Sequence, residues 1–444
     1  MECHHDDLIK KVGEQIANAI LNSETQLVER ARFLDGAVAE ILRQIGQEAM
    51  MLIFAVLGEE LVAKAKAAGL TVQSRTVITY NVIFGPIEVE SPYLWSKGQS
   101  SKPVKDDLGL THQGRTERVE RALADFGVED SYGLAAKRFE EHYGWPVDKS
   151  TVRRVTRSIA CQAEEYVRGR LEEARKAYDL PVEERPGVEQ LVVELDACRI
   201  RTGILVPCTE ENQQEKEQQP EKRRRVINWR DVRMGLVTDL DGEQKDYVGR
   251  VDSYPEVVHQ LFCLAVSHGL SKETRVIAPA DGGNGLREEL ERQFPCIQFI
   301  LDRPHLKDHL FETAEAMGHG EDERKKWVNA KLSLIDTGKA KEAHQELRDE
   351  YALSSVDRLR QLIGFVERFQ DAIDYQKFKE EGFPIGSGEI ESAHRYVPQK
   401  RLKIAGACWH PDSLNPMVSL RVLRANNWAD DFWNDRMPKV AAHG

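Results

Sequence analysis

Three carboxylates stand where a charge is costly unless something neutralises it. Asp196 ends the run L-V-V-E-L-D, Asp281 ends V-I-A-P-A-D, and Glu391 lies in G-S-G-E-I-E-S-A, where a Gly-Ser-Gly turn opens a helix. Short apolar runs bounded by charged sequence read as strands buried in a sheet. A charge within such a strand must be paired or bound to metal. Asp, Asp and Glu together offer hard oxygen donors, suited to Mg²⁺ with Mn²⁺ as a substitute, and not to zinc. Two such ions roughly 3.5–4 Å apart clamp the attacking and leaving oxygens of an in-line phosphoryl displacement. No Ser-His or Cys-His pairing is expected beside these acids, so the expected chemistry is metal-borne.

The elements that must position the acids follow from the pattern. Arg225–Leu240 reads as a second strand turned at Asp241-Gly242, and Tyr247–Val251 as a third. A helix over Pro255–His268 leads to the strand Arg275–Ala280, then a helix over Leu286–Phe294 leads to C-I-Q-F-I-L, which ends at Asp302. The order is β-β-β-α-β-α-β-α, an α/β arrangement with a mixed sheet, and by analogy the ribonuclease-H-like fold. In that fold the first strand lies beside the fourth. The carboxylates of Asp196 and Asp281 are then one strand spacing apart, about 4.8 Å, while Asp302 starts roughly 10 Å from the first strand. The glycines after Asp281 are expected to leave room for a phosphate backbone. Residues 311–384 show no strand pattern and read as an all-helical insertion before the last acid.

Upstream, residues 1–70 read as helical. Cys3, His4, His5 and Asp6 could ligate a metal, against the plainer reading of a frayed terminus. Residues 71–110 form a β-hairpin turned at Gly85-Pro86, with Tyr93 and Trp95 on its outgoing strand expected in the core. Residues 111–187 hold two helices around a tight turn and a linker broken at Pro181 and Pro186. Ser131 caps the first helix, Gly144 ends it, and Asp148 caps the second. Val152, Val155 and Ile159 share one face of that second helix, while Lys149, Arg153, Arg154 and Arg157 project from the others. This resembles a DNA-binding helix-turn-helix; an ordinary helical hairpin with a solvated basic face is the alternative. The polar run E-E-N-Q-Q-E-K-E-Q-Q-P-E-K-R-R-R reads as an extended hairpin loop, in which Lys222–Arg225 either touch phosphate or stay solvated. Trp327, Trp428 and Trp433 read as packing residues.

Composition bounds the rest. The 444 residues exceed a single ordinary core, and 41% hydrophobic with 31% charged residues is a globular balance. The net charge of −12 argues against whole-chain attraction to nucleic acid, so DNA binding must rest on local basic clusters. Seven scattered cysteines without C-x-x-C argue for a reducing cytosol and against thiolate zinc or disulfides. No apolar run is long enough to span a membrane, and the acidic start M-E-C-H-H-D-D lacks a secretory layout. A cytoplasmic protein is expected.

V-E-L-D-A, A-D-G-G-N-G-L, F-I-L-D-R-P-H-L and G-S-G-E-I-E-S-A followed by Q-K-R-L-K and a Trp resemble bacterial insertion-sequence DDE transposases. The likeness is to the Kra-type branch, with kinship to Mutator-like enzymes, and spans residues 190 to 433. It implies that Asp196, Asp281 and Glu391 are the metal-binding acids. It selects Glu391 over Glu389, which points about 200° away on the helix. It matches His305 to a histidine near the active site, with Asp302 auxiliary through it; capping or packing is an equal alternative for His305. Lys400, Arg401 and Lys403 become DNA contacts. The implied activity is cutting at terminal inverted repeats of double-stranded DNA and joining the 3′ ends to a target, by a homodimer that synapses two ends. A metal-dependent nuclease without strand transfer would share the acids, and a catalytically silent DNA-binding derivative would not need them. The implied organisation is an N-terminal helical region (1–70), a hairpin module (71–110), the helix-turn-helix region and linker (111–187), the catalytic core (188–310), its helical insertion (311–384), and the core's last part with the tail (385–444).

Overall fold

A run rich in Ala, Glu, Leu and Gln with few breakers winds into helix, and the N-terminal region does so twice: α1 (Glu2–Leu21) and α2 (Leu34–Ala67). The computed structural model describes residues 2–22, 34–180, 187–207, 223–283 and 285–436, with side chains from residue 7. The Cys3–Asp6 side chains, the Pro181–Pro186 linker and the polar run through Lys222 therefore lie outside the described residues. The chain divides into two compact units, Met1–Thr156 and Arg157–Gly444.

In the first unit, β1 (Thr71–Val82) pairs antiparallel with β2 (Gly85–Ser96). Val82 faces Gly85, so the turn is Ile83-Phe84, and Pro86 is already in the strand opposite Asn81. The short β3 (Gln99–Ser101) pairs with β2, the single-turn α3 (Pro103–Asp106) follows, and β4 (Gly114–Arg115) adds parallel to β1. Ile87 and Val89 alternate inward with exposed Glu88 and Glu90 and pack with Tyr80, Val82, Val104 and Leu110 against Met50, Met51 and Phe54 of α2. Tyr93 and Trp95 do not join them. The inward phase set by Ile87 and Val89 is lost towards the end of β2, opposite the register irregularity at Val72/Ser74: Leu94 is fully buried, Tyr93 half-buried and Trp95 45% exposed.

Three helices follow: α4 (Glu117–Glu129), α5 (Tyr132–Tyr143) and α6 (Lys149–Lys176). Ser131 caps α5 by accepting from the Leu134 amide, and Gly144 closes it in the left-handed conformation. Asp148 Oδ1 accepts from Ser150 N at 2.7 Å at the start of α6. Gly127 lets α4 approach α6; a Cβ there would fall 2.0 Å from Thr156 Oγ1. Val152, Val155 and Ile159 are buried, and Lys149, Arg153, Arg154 and Arg157 are exposed. The second helix continues past Ile159 and runs unbroken for 28 residues, through Gly169, to Lys176.

In the second unit, β5 (Gln190–Pro207), β6 (Arg223–Thr238) and β7 (Lys245–Arg250) form an antiparallel meander. Helix α7 (Tyr254–Ser267) leads to β8 (Arg275–Ala280), and α8 (Leu286–Gln293) to β9 (Ile297–Leu301). The sheet order is β7-β6-β5-β8-β9, with β8 and β9 parallel to β5. The strands alternate with helices as the sequence pattern requires, and the mixed sheet is the result. Leu191 to Leu195 are all buried, as in a strand covered on both faces.

The helical segment comprises α9 (Arg303–Ala316), α10 (Glu321–Asp336), α11 (Ala340–Ser354), α12 (Asp357–Arg368) and α13 (Tyr375–Glu380). Trp327 packs there and donates from Nε1 to Glu350. The chain returns through α14 (Gly388–His394), the single-turn α15 (Lys400–Leu402), α16 (Leu414–Ala425) and α17 (Ala429–Arg436). Asn426, just past the end of α16, bonds both N and O of Tyr247 on β7, and Trp428 and Trp433 are buried.

Candidate active site

Strand register fixes the first part of the site. Val192 pairs with Ile277, and Ala280 with Leu301. Four residues on from the first pair and one on from the second, Asp196, Asp281 and Asp302 fall on one level across β5, β8 and β9. The Asp302 amide donates to Ala280 O at 2.8 Å, carrying the ladder up to the acids.

The three aspartates differ in what surrounds them. Burial pushes the Asp281 carboxyl up, and the charges of Asp196 and Asp302 add to that, against a bond from Gly283 N at 3.2 Å and the charge of His305. For Asp196, burial also pushes upward, but His394 and the Ala197 amide outweigh it and hold the carboxyl below its ordinary value. His394 Nε2 lies 3.4 Å from Asp196 Oδ2, and Ala197 N donates to Oδ1 at 2.6 Å. Asp302 is buried. Burial opposes its ionisation, but bonds from His305 and Ser387 prevail and hold it at about 2.

His305 sits on the first turn of α9, which Asp302 caps through the His305 amide at 2.8 Å. Its ring Nδ1 is 3.0 Å from Asp302 Oδ1, and that contact, against the opposing effect of burial, raises the imidazole to about 9, helped by Asp281 and Asp196. The His305 backbone is thus capped by Asp302 while its ring lies against the same carboxylate. His394 is buried, which would lower its pKa, yet Asp196 and Cys198 lift it to about 9.

The second part of the site is the start of α14. Ser387 donates to Asp302 Oδ2 from both N, at 2.6 Å, and Oγ, at 2.5 Å. The Ile390 amide donates to Glu194 Oε2 at 2.7 Å. Glu194 is 2% exposed on β5, and burial, with Glu389 and Asp302 adding their charge, pushes it up to about 8. Helix α14 turns Ile390, Ala393 and His394 inward and leaves both Glu389 and Glu391 exposed. Glu389 pairs with Lys245 at 2.8 Å. The geometric expectation that one of the two glutamates faces the sheet fails, because the inward stripe of this short helix is 390–393–394.

Sequence reasoning missed His394, Glu194 and two further neighbours. Arg233 stands opposite Ala197 on β6, with its guanidinium 4.6 Å over the Tyr254 ring. The Tyr254 hydroxyl is raised by burial and then by Asp281. The signals were present: Glu194 is two residues before Asp196 on the same strand, and His394 is one turn beyond Glu391. Gly282 also corrects an expectation. A Cβ there would meet Phe365 at 2.4 Å, so its smallness admits a phenylalanine of α12, not a phosphate.

The donor set fits a hard divalent cation in part. Asp196 and Asp281 supply oxygens, and burial with the neighbouring charges of Asp196 and Asp302 disfavours the ionised Asp281 carboxyl, which a cation would favour. Among the described residues, no group of three or more His, Cys, Asp or Glu is gathered closely enough to hold an ion by itself.

The downstream basic cluster divides. Lys400 and Lys403 are exposed. Arg401 is 3% exposed, its guanidinium 4.8 Å over the Trp409 ring, and it is a packing residue, not a DNA contact. Trp409 in turn bonds to the edge of β5, with its amide on Arg201 O and its carbonyl on Gly203 N.

No family model and no curated protein matches the chain. Among solved structures, the chain is similar to one titled "Crystal structure of the Mos1 Strand Transfer Complex", at 12% identity over 59% of this chain and 78% of that one. The TM-score is 0.15, too low to carry weight for fold or function. No helix among the described residues is long and apolar enough to cross a membrane.

Proposed function

We propose that the chain is a DDE-type DNA transposase with a ribonuclease-H-like core. The observation that carries this is the level row of Asp196, Asp281 and Asp302 on adjacent strands, with the G-S-G-E-I-E-S turn bonded to it through Asp302 and Glu194. Asp196 and Asp281 would hold Mg²⁺ or Mn²⁺, and Glu391 is the third donor. When bound, such ions polarise a phosphodiester and activate the attacking oxygen.

The chain's own residues do the rest. Glu391, exposed on α14, reaches the aspartates by a turn of that helix that also moves His394 off Asp196. His305 and Arg233 place positive charge where the scissile phosphate arrives. Asp302 orients His305 and does not ligate. Lys149, Arg153, Arg154 and Arg157, with Lys400 and Lys403, contact the backbone of double-stranded DNA. The region 111–187 recognises element ends, 188–310 and 385–444 form the core, and 311–384 is an insertion. The working form is a homodimer in the bacterial cytoplasm, bound to element ends.

The test is incubation of the purified protein with a labelled duplex carrying an element end, in Mg²⁺ or in EDTA. Binding, nicking and joining are scored separately. Nicking and joining are expected with Mg²⁺ alone, and full activity in EDTA overturns the proposal. Nicking without joining under any condition leaves the nuclease reading; binding without nicking leaves the silent one.

A further inference from the structure

The first unit contains a cavity of about 240 Å³. Val119, Leu123 and Trp145 give it an apolar side, and Thr79, Asn81 and Thr151 a polar one. Two guanidinium groups converge on it, Arg115 from β4 and Arg154 from α6. Arg115 is half-buried, and its Nη2 donates to Gln113 O at 3.3 Å. Neither arginine has a carboxylate within ion-pair distance among the described residues. Burial and the charge of Arg154 pull the Arg115 pKa below that of a free guanidinium, against a longer-range opposing effect of Glu120. Asp148 also lines the cavity, but its Oδ1 is engaged by the Ser150 amide.

The cavity carries two guanidinium charges against the single Asp148 carboxylate, an excess that an oxyanion offsets. The planar fork of Arg suits phosphate oxygens, which each group can bind in two-pronged fashion. We propose that Arg115 and Arg154 form a seat for a phosphate group, and that the group comes from the backbone of duplex DNA. The choice of source rests on the DNA-binding role proposed for α6, since Lys149 and Arg153 are exposed on the same first turns. Arg115 lies on β4, within the 111–187 region but outside its helices, so the seat adds a contact beyond α6.

The experiment measures binding of the full-length protein to a fluorescent duplex of arbitrary sequence across a salt series. Arg115→Gln and Arg115→Lys are compared with wild type, and thermal melts confirm folding. One lost phosphate contact should reduce the slope of log K against log salt by about one unit in Arg115→Gln. Arg115→Lys should keep most of it. A parallel melt with inorganic phosphate asks whether a free anion protects wild type and not Arg115→Gln. Duplex binding with unchanged slope in Arg115→Gln overturns the DNA source while leaving the DNA-binding role of α6 intact. Protection by phosphate without any duplex binding assigns the seat to a free anion and removes that role. Neither effect in any variant overturns the seat.

Discussion

The two halves of the candidate active site are held by different means. Asp196, Asp281 and Asp302 are placed by backbone ladders, whose spacing of about 4.8 Å leaves little freedom. Glu391 is placed by a seven-residue helix attached through Ser387 to Asp302 and through the Ile390 amide to Glu194. Sheet residues are in register whether or not a ligand is present. The start of α14 is held by side-chain bonds and by His394 against Asp196, not by a ladder. In this structure the three aspartates share one level, whereas Glu391 is exposed. The gap between them is where metal or DNA would act.

The largest effect should come from the sheet half. Asp196→Asn and Asp281→Asn are each expected to reduce strand cleavage by roughly a thousandfold, the size of several kcal/mol of lost charge stabilisation. DNA binding should persist in both. Asp302→Asn should leave measurable cleavage, and the opposite order among the three would mean that Asp302, not Asp281, is the second ligand. Glu391→Gln and Glu389→Gln probe the helix half in the same assay; loss of cleavage only in Glu389→Gln would exchange their roles.

Next in size is the attachment itself. Asp302→Ala strands the buried Ser387 N and Oγ donors and should cost about 2–4 kcal/mol in a denaturant melt. A smaller change would show that the turn is held elsewhere. Because the Asp302 carboxyl is held at about 2, below its unfolded value, its contribution is present above about pH 4 and lost as pH falls towards 2. Ser387→Ala should weaken that acid sensitivity.

Glu194 has the reverse sign. Its folded pKa of about 8 lies above the unfolded 4.5, so between these values the native state binds the extra proton and stability falls as pH rises. Glu194→Gln keeps an acceptor for Ile390 and removes the titration. In EDTA it should match wild type near pH 5 and exceed it near pH 9, as read by thermal melts. Equal pH profiles would show that Glu194 ionises normally.

Legibility in the sequence follows the same division. Apolar runs ending in Asp announce their strands, and strand order then follows from alternation with helices. The orientation of α14 could not be read, because seven residues give too few turns to define an inward stripe. Glu194 was hidden within a strand buried on both faces, where one polar residue breaks no alternation. Arg401 looked like part of a solvated basic run, and only the approach of Trp409, eight residues on, makes it internal. In the hairpin, aromatic type suggested burial for Trp95, whereas the strand pairing is irregular at Val72/Ser74 and Trp95 is left exposed.

The smallest expected effect lies on α6. Replacing Arg153, Arg154 and Arg157 singly with Ala should reduce the salt slope of duplex binding by about one unit each wherever a phosphate contact is lost. Unchanged affinity and slope in all three would make α6 a purely structural helix.

The central claim, that Asp196 and Asp281 together form a divalent-metal centre, is tested most directly by Mn²⁺ binding, followed by electron paramagnetic resonance. Wild type, Asp196→Asn, Asp281→Asn and Asp302→Asn are compared, with a short DNA duplex present throughout. Binding should be lost in the first two variants and kept in Asp302→Asn. Undiminished Mn²⁺ binding in both Asp196→Asn and Asp281→Asn would contradict it.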